Sequence, residues 1–274
     1  MNDPRLGKRV GVGRAAAVFE WGEDTVAKVL LEEGPLSTID ADVMSQRAAY
    51  EAGLRVPAVR ETLLIDGHPT LIMDRIDGVD GLSAAQAKPW KLWKIGRDIG
   101  ELHRRLNEVR APAGLPRVTD TLRTLIESPG VPAAALERLR NLLGSMPEGD
   151  RLCHLDFHPG NVIESADGPV VIDLSNAGSG EPTVDYVRSL LLFSVGTPGG
   201  EISWRDRLLI AAGRGAMSAA YRSGYRNRGP IDESMVRQWK PLVVAARLAE
   251  GFPEERTDLL RMLSRSLRAA ELAG

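Results

Sequence analysis

The chain has 274 residues and a mass of 29.7 kDa, and its 35 lysine and arginine residues nearly balance its 37 aspartate and glutamate residues, for a net charge of −2. This balance argues against a nucleic-acid partner, and no apolar run approaches the roughly 20 residues of a membrane span. A single cysteine, Cys153, excludes an internal disulfide and a multi-cysteine metal site. The opening Met-Asn-Asp-Pro-Arg lacks the pattern of a signal peptide, so we expect a cytoplasmic protein without a membrane partner.

The first third of the chain predicts a five-stranded antiparallel sheet with one helix. Short apolar and β-branched runs alternate there with turn residues such as Gly22-Glu23-Asp24 and Asp66-Gly67. The predicted strands cover residues 9–12, 17–21, 25–31, 62–65 and 70–73. A helical pattern covers residues 38–53 and ends at Gly53, because glycine commonly caps a helix at its C-terminus.

The rest of the chain is predicted to be mostly helical. In residues 92–107, apolar side chains recur at spacings of three and four, which indicates an amphipathic helix. Further helices are predicted over residues 119–128, 133–143, 184–195, 205–223, 233–250 and 254–272. The strand-rich part ends near Ile76, in a connector at residues 74–81. We therefore predict an α+β fold of two lobes, residues 1–76 and 77–274, with a cleft between them.

The most informative segment is residues 154–161, His-Leu-Asp-Phe-His-Pro-Gly-Asn, which a predicted strand at 170–172 and Asp173 follow. It has the form H-x-D-x-x-x-x-N, so a carboxylate and an amide share one loop. Asp156 can accept a hydroxyl proton and Asn161 can face a metal ion, while Asp173 can bind Mg²⁺ that bridges nucleotide phosphates. These residues predict phosphoryl transfer from a nucleotide to a hydroxyl group.

Other patterns leave alternatives open. His154, Asp156 and His158 alternate as on one strand face, which would suit a transition metal in a metal-dependent hydrolase. Residues 11–16, Gly-Val-Gly-Arg-Ala-Ala, have the G-x-G-x-x-A form of dinucleotide-binding loops. Such a loop needs a helix directly after the glycines, whereas a hairpin is predicted here. A nucleotide-binding protein without transfer activity is a further alternative.

We call residues 154–161 the catalytic segment, or catalytic loop, after the role predicted for them. This segment resembles the catalytic loop of the aminoglycoside phosphotransferase and choline kinase family, which is close to H-x-D-x-H-P-x-N. The stretch from Ile172 to Ala177, the Gly180-Glu181-Pro182 triplet and Asp185 resemble the family's segment on the C-terminal side of that loop. The similar order of parts extends over most of the chain. The resemblance implies a two-lobed protein-kinase-like fold and ATP-dependent phosphorylation of a small-molecule hydroxyl. It also implies Asp156 as the base and Asn161 and Asp173 as the ligands of Mg²⁺.

The resemblance implies a nucleotide site in the first lobe. Gly11 and Gly13 would form a flap over the triphosphate, since glycines let backbone amides approach it. Lys28 would contact the phosphates from the third strand. The connector would hold adenine through the carbonyl of Asp74 and the amide of Ile76. Because backbone groups set the choice of base there, GTP stays an alternative to ATP.

The family usually pairs the phosphate-binding lysine with a helix glutamate, and the corresponding position here is Asp42. The shorter aspartate predicts a looser or water-mediated ion pair with Lys28, and Asp40 and Glu51 are alternative partners. We interpret His154 as a residue that braces the loop by hydrogen-bonding backbone near the predicted metal-binding strand, rather than as a base.

The charge distribution bears on the phosphate acceptor. Residues 1–76 carry 9 basic and 12 acidic side chains, and residues 201–274 carry 13 basic and 9 acidic ones. In the family, helices near the C-terminus help to bind the acceptor, so a basic wall there favours a neutral or anionic acceptor over a polycation. Solvent-exposed helix faces are the alternative explanation of these arginines. The acceptor is predicted to be an antibiotic or a metabolite such as an amino alcohol, sugar or nucleoside, and the protein to be a monomer or homodimer. Asp185, Arg188, Arg247 and Glu250 are the candidates for lining the cleft near the acceptor. His154 and His158 are further candidates for a supporting or acceptor-site role.

Overall fold

The computed structural model describes residues 3–195 and 204–271. Within them, the N-terminal strands form one antiparallel sheet in the order β1-β2-β3-β5-β4. The strands are β1 (Arg9–Val12), β2 (Ala16–Glu20), β3 (Thr25–Leu30), β4 (Val59–Ile65) and β5 (His68–Asp74). The β4–β5 turn uses Asp66 and Gly67 at φ values of 48° and 83°, the left-handed conformation that a two-residue hairpin of this kind requires.

Helix α1 (Asp40–Glu51) packs against one face of this sheet after a 3₁₀ turn at Leu36–Ile39. Val43 of α1 belongs to the same buried apolar cluster as Val26 and Leu71 of the sheet. The helix ends where it was predicted to end, because Gly53 has a φ of 76° and turns the chain away from the helix axis. The packing of α1 against the sheet places the first turn of α1 beside β3.

The second part of the chain is mainly helical and carries two small sheets. Its elements are β6 (Val79–Asp80), α2 (Gly81–Ala87), α3 (Leu92–Leu106), α4 (Val118–Ile126), α5 (Ala133–Gly144), β7 (Arg151–Cys153), β8 (Val162–Ser165), β9 (Gly168–Val171), β10 (Gly178–Gly180), α6 (Pro182–Ser194), α7 (Trp204–Arg226), α8 (Glu233–Ala249) and α9 (Arg256–Glu271). Strand β6 pairs with β8, which pairs with β9, and β7 pairs with β10. The predicted end of the last helix, Leu272, lies outside the described residues.

Helix α2 is an element that the sequence patterns did not predict. It spans only seven residues, which is too short for a clear apolar period. The side chain of Asp80 accepts a hydrogen bond from the amide of Ser83 at 2.9 Å and so caps the first turn. This cap fixes the point at which the connector after β5 enters the helical part. The division of the chain into domains at residue 76 stays a prediction.

The largest apolar core lies in the helical part, where α3 and α7 approach each other closely. A Cβ atom at Gly100 would lie 2.1 Å from the carbonyl oxygen of Tyr221, and one at Gly224 would lie 1.9 Å from that of Arg97. Only glycine therefore fits at these two contacts. Phe157 of the catalytic segment is fully buried in this core, so the loop is anchored to the helices. None of the described helices combines the length and apolar character needed to cross a membrane.

Candidate active site

The catalytic segment leaves β7 and reaches β8 through a 3₁₀ turn at Pro159–Asn161. His154 is fully buried at its start. The Nε2 of His154 lies 3.2 Å from the carbonyl oxygen of Ile172, and its Nδ1 accepts a hydrogen bond from the amide of Asp156 at 3.3 Å. Both ring nitrogens thus contact backbone. Among the described residues no three His, Cys, Asp or Glu side chains converge as metal ligands.

Asp156 and Asn161 face each other across the loop. The Nδ2 of Asn161 donates to the carbonyl oxygen of Asp156 at 2.9 Å and to its Oδ2 at 3.3 Å. His158 accepts a hydrogen bond from the amide of Gly160 at 3.0 Å, and its Nε2 lies 3.8 Å from Asp156 Oδ2. Burial lowers the pKa of His158 and outweighs the opposing effect of Asp156, so the imidazole is neutral at neutral pH.

Lys28 links the two parts of the chain. Its Nζ lies 2.7 Å from Asp42 Oδ2 on α1 and 2.7 Å from Asp173 Oδ1 after β9. Burial opposes the charge of this lysine, but the two carboxylates outweigh it and raise the pKa. The predicted looser or water-mediated pair with Asp42 is not observed, because the first turn of α1 buries Asp42 directly beside β3. The alternative partners, Asp40 and Glu51, are both exposed.

Asp173 has a φ of 61° and a partly exposed carboxylate. Burial opposes its ionisation, but Lys28 and the Ser175 hydroxyl outweigh this effect and lower the pKa of Asp173 to about 2. Within the described chain, Asp173 Oδ2 and Asn161 Oδ1 accept no hydrogen bond, since Lys28 and Ser175 contact Oδ1 and Asn161 donates through Nδ2. Two hard oxygen atoms, of the type that a divalent cation such as Mg²⁺ prefers, are therefore not used in hydrogen bonds among the described residues.

The prediction that Asp185 lines the cleft is wrong, because its side chain is fully buried in α6. Asp185 accepts hydrogen bonds from the amides of His154 and Leu155 at 2.6 and 2.8 Å. It also accepts from His103 Nε2 at 2.8 Å and from Asn107 Nδ2 at 2.9 Å. Burial opposes ionisation, but these donors lower the pKa of Asp185 to about 2. Asp185 thus anchors the backbone of the catalytic loop from behind.

Sequence reasoning missed the residues that complete this buried network. The hydroxyl of Tyr221 lies 2.6 Å from His103 Nδ1, and the hydroxyl of Tyr225 donates to Asn107 Oδ1 at 2.7 Å. Burial lowers the pKa of His103, so the neutral ring donates through Nε2 and accepts from Tyr221. One signal was available, since His103 follows Ile99 by four residues on the apolar face of α3. A histidine on such a face needs buried hydrogen-bond partners.

The other residues predicted near the acceptor lie beside the catalytic loop. The Nε of Arg188 donates to the carbonyl oxygen of Leu155 at 3.1 Å, and its guanidinium pairs with Glu250. Arg247 contacts Glu250 at 2.6 Å and Glu255 at 2.7 Å. The structure therefore brings Arg188, Arg247 and Glu250 together and adds Glu255, which was not predicted.

The predicted nucleotide-binding glycines lie in the β1–β2 hairpin. A Cβ atom at Gly11 would lie 3.7 Å from Val18 Cβ, and one at Gly13 would lie 3.6 Å from the carbonyl oxygen of Ala16. These are ordinary contact distances, so packing does not require glycine at either position. The amide of Asp74 donates to the carbonyl oxygen of Ala58 at 3.0 Å, and Ile76 is half-buried in the connector.

The chain was compared with protein-family profiles, curated proteins and solved structures. The profile of the Phosphotransferase enzyme family matches residues 8–226. No curated protein matches the chain. A solved choline/ethanolamine kinase family protein from Mesorhizobium loti is similar, with a TM-score of 0.59, 15% identity and coverage of 97% of this chain and 87% of that chain.

Two further solved structures share the fold. Amicoumacin kinase hAmiN has a TM-score of 0.60 and 14% identity, and covers 98% of this chain and 89% of its own. Aminoglycoside phosphotransferase APH(3'')-Id from Streptomyces rimosus has a TM-score of 0.55 and 17% identity, and covers 87% of this chain and 91% of its own. At these identities the similarity shows the fold, and the predicted α+β, two-lobed protein-kinase-like fold is confirmed. Since the family profile extends from the residue before β1 to the end of α7, the chain belongs to the Phosphotransferase enzyme family.

Proposed function

We propose that the protein transfers the γ-phosphoryl group of ATP to a hydroxyl group of a small molecule. The observation that carries this proposal is the position of Lys28, which lies 2.7 Å from both Asp42 and Asp173. A lysine held between a helix carboxylate and a carboxylate available to a metal ion, next to an Asp–Asn loop, is the recurring arrangement of kinase-like phosphoryl transfer.

The nucleotide would lie between the β1–β2 hairpin and the catalytic loop. Gly11 and Gly13 would admit the triphosphate to the backbone, because neither glycine is explained by packing within the fold. Lys28 would bind the phosphates, and the Asp74 carbonyl and Ile76 amide would bind the edge of adenine. Asn161 Oδ1 and Asp173 Oδ2 would hold Mg²⁺, which would neutralise charge on the phosphates.

Asp156 would act on the acceptor hydroxyl. The acceptor oxygen would form a bond to the γ-phosphorus while the bond from that phosphorus to the ADP oxygen breaks, and the hydroxyl proton would pass to Asp156. Asn161 would hold the carboxylate in place through its 3.3 Å contact with Asp156 Oδ2. Most of the rate would come from positioning and charge stabilisation, since a loose transition state leaves little covalent chemistry to the protein.

The ligands of similar structures support a nucleotide but differ in the base and the acceptor. Amicoumacin kinase hAmiN was solved with AMP-PNP, Ca²⁺ and Ami, and the Streptomyces rimosus phosphotransferase with ADP and streptomycin. A third similar structure contains GDP and kanamycin. We therefore propose ATP with GTP as the alternative. A small-molecule acceptor, the absence of a nucleic-acid partner, a cytoplasmic location and a monomeric or homodimeric state stay predictions.

The test is release of ADP or GDP with MgATP or MgGTP and a panel of hydroxyl compounds that includes choline, ethanolamine, streptomycin, kanamycin, sugars and nucleosides. We expect transfer to at least one acceptor and a loss of about 10³-fold in kcat with Asp156→Asn, since that variant has no proton acceptor. Nucleotide binding, measured by calorimetry, should be nearly unchanged.

The control variant is Asp167→Asn, which makes the same change at a carboxylate whose side chain is 90% exposed, between β8 and β9. It should retain the wild-type rate. Equal transfer rates for wild type and Asp156→Asn would refute the role of Asp156. Nucleotide binding without transfer to any acceptor would instead indicate the nucleotide-binding protein without transfer activity.

A further inference from the structure

A chain of paired charges lies against the catalytic loop. It consists of Arg188, Glu250, Arg247 and Glu255, and we call it the arginine–glutamate chain. Glu250 pairs with both Arg188 and Arg247, and Glu255 accepts two hydrogen bonds from Arg247 at 2.7 and 2.8 Å. The exposed fractions of the four side chains lie between 3% and 23%, so these charges are largely shielded from water.

The arginine–glutamate chain lies beside the loop that carries Asp156. Arg188 donates to the carbonyl oxygen of Leu155, the residue directly before Asp156. At the other end, the guanidinium of Arg247 lies over the ring of Phe252, 3.9 Å from its centroid. Phe252 directly follows α8 and so lies at the edge of the surface that the arginine–glutamate chain forms, which we call the acceptor wall.

The carboxylates of Glu250 and Glu255 are unsuited to bind an amino group of an acceptor, because both are already paired with arginines. A cationic acceptor could use Glu250 or Glu255 only by separating them from Arg188 and Arg247. Removing a partner from a largely buried arginine is strongly unfavourable, because the arginine is left as an unpaired charge. The paired glutamates therefore disfavour a polycation as the acceptor, although they are acidic residues.

Arg14 adds a positive charge beside Phe252 that no described carboxylate pairs with. It lies at the end of the β1–β2 hairpin, next to Gly13, and its guanidinium is 5.1 Å from the centroid of Phe252. The side chain is exposed, and it forms no ion pair with the described residues. Arg14 and the arginine–glutamate chain together carry three arginines against two glutamates, so their formal charge is +1.

We infer that the acceptor carries an anionic group, a carboxylate or a phosphate, in addition to the hydroxyl that is phosphorylated, and that Arg14 binds this group beside Phe252. Because it requires the phosphotransfer proposed above, this assignment names the acceptor class of that same site. Arg14 belongs to the nucleotide flap, so a bound anion would also connect the flap to the acceptor wall.

The experiment compares hydroxyl compounds of similar size and different charge. With MgAMP-PNP saturating the nucleotide site, calorimetry measures the binding of glucose, glucosamine, gluconate and glucose 6-phosphate to wild type, Arg14→Ala and Arg123→Ala. The last variant removes an exposed arginine of α4 and is the matched control. We expect gluconate or glucose 6-phosphate to bind more tightly than glucose and glucosamine. We also expect Arg14→Ala, but not Arg123→Ala, to weaken that binding about tenfold, as loss of a charge-assisted hydrogen bond does. The two anions distinguish a carboxylate from a phosphate.

The outcomes separate this inference from the proposed function. Glucosamine binding as tightly as the anions, anion binding that survives Arg14→Ala, or no measurable binding of either anion would each overturn the inference. ADP release is then measured with MgATP and the same compounds. Transfer to neutral or cationic acceptors without Arg14-dependent anion binding would overturn the inference alone. Arg14-dependent anion binding without ADP release from any bound compound would overturn the proposed phosphotransfer.

Discussion

Asp173 in the cleft and Asp185 in the helical core have the same lowered pKa of about 2, but the two regions achieve it differently. At Asp173 the lowering comes from Lys28 and Ser175, which contact one carboxylate oxygen and leave the other available. At Asp185, four hydrogen-bond donors surround a side chain with no exposure to water.

The difference shows that a perturbed pKa by itself does not identify a functional carboxylate. A carboxylate that keeps an unused oxygen toward a cleft can bind a ligand, whereas one whose oxygens are fully used can only hold protein groups in place. Asp173 therefore belongs to the proposed chemistry and Asp185 to the scaffold behind it. Substitution of each aspartate should separate these two roles.

The largest effect is expected from Asp173→Asn. The amide would lose the charge that is proposed to bind the metal, so we expect kcat/KM for the proposed phosphotransfer to fall about 10³-fold. The free energy of unfolding should fall by about 1 to 2 kcal/mol, less than in Asp185→Asn, because the side chain is partly exposed and the buried Lys28 keeps its contact with Asp42. ADP-release kinetics and urea denaturation measure the two quantities. A large loss of stability with activity retained would reverse the assignment.

Asp185→Asn should act mainly on stability. An amide in place of the carboxylate directs N–H groups at other donors, and we expect a loss of about 3 to 5 kcal/mol, because several buried donors lose their charged acceptor at about 1 to 3 kcal/mol each. For a chain of this size that corresponds to a decrease in Tm of roughly 10 °C. Calorimetric melting of the variant beside Asp167→Asn provides the measurement. A decrease in Tm within about 1 °C of that control would contradict the anchoring role.

The acid dependence of stability should distinguish the two aspartates most finely. The pKa of Asp185 in the folded protein, about 2, is below its ordinary value, so its stabilisation is present above about pH 4 and is lost as the pH falls toward 2. The expected loss is about 2 kcal/mol, and it should be absent in Asp185→Asn. Asp173 should contribute less, because solvent screens its contact with Lys28. Urea denaturation between pH 5 and pH 2 tests this, and an unchanged pH dependence in Asp185→Asn would contradict it.

The sequence predicted the parts of the molecule that have a local pattern. The strands of the sheet, most helices and the Asp156–Asn161 loop follow from turn residues, apolar periods and motif spacing. The prediction that Lys28 and Asp173 serve the same nucleotide site depended on the family resemblance, because 145 residues separate them and no local pattern connects them. The direct contact with Asp42 depended on how closely α1 packs against β3, which local patterns do not encode.

The buried network could not be predicted in the same way. His103 meets Tyr221 across 118 residues, and Asp185 meets His103 across 82. No spacing rule connects such positions, so the motif around Asp185 pointed to the cleft when its side chain in fact points into the core. Likewise, the sequence showed an excess of arginines near the C-terminus, but not that Arg188 and Arg247 share Glu250.

The hydrogen bonds from the amides of His154 and Leu155 to Asp185 have a consequence for hydrogen exchange. Loop amides ordinarily exchange through small local openings, and those at functional sites are among the least protected in a protein. These two amides end on a carboxylate of the core, so they can exchange only when α6 separates from the loop. Their exchange should therefore be as slow as that of core helix amides, which makes the catalytic loop a reporter of global unfolding.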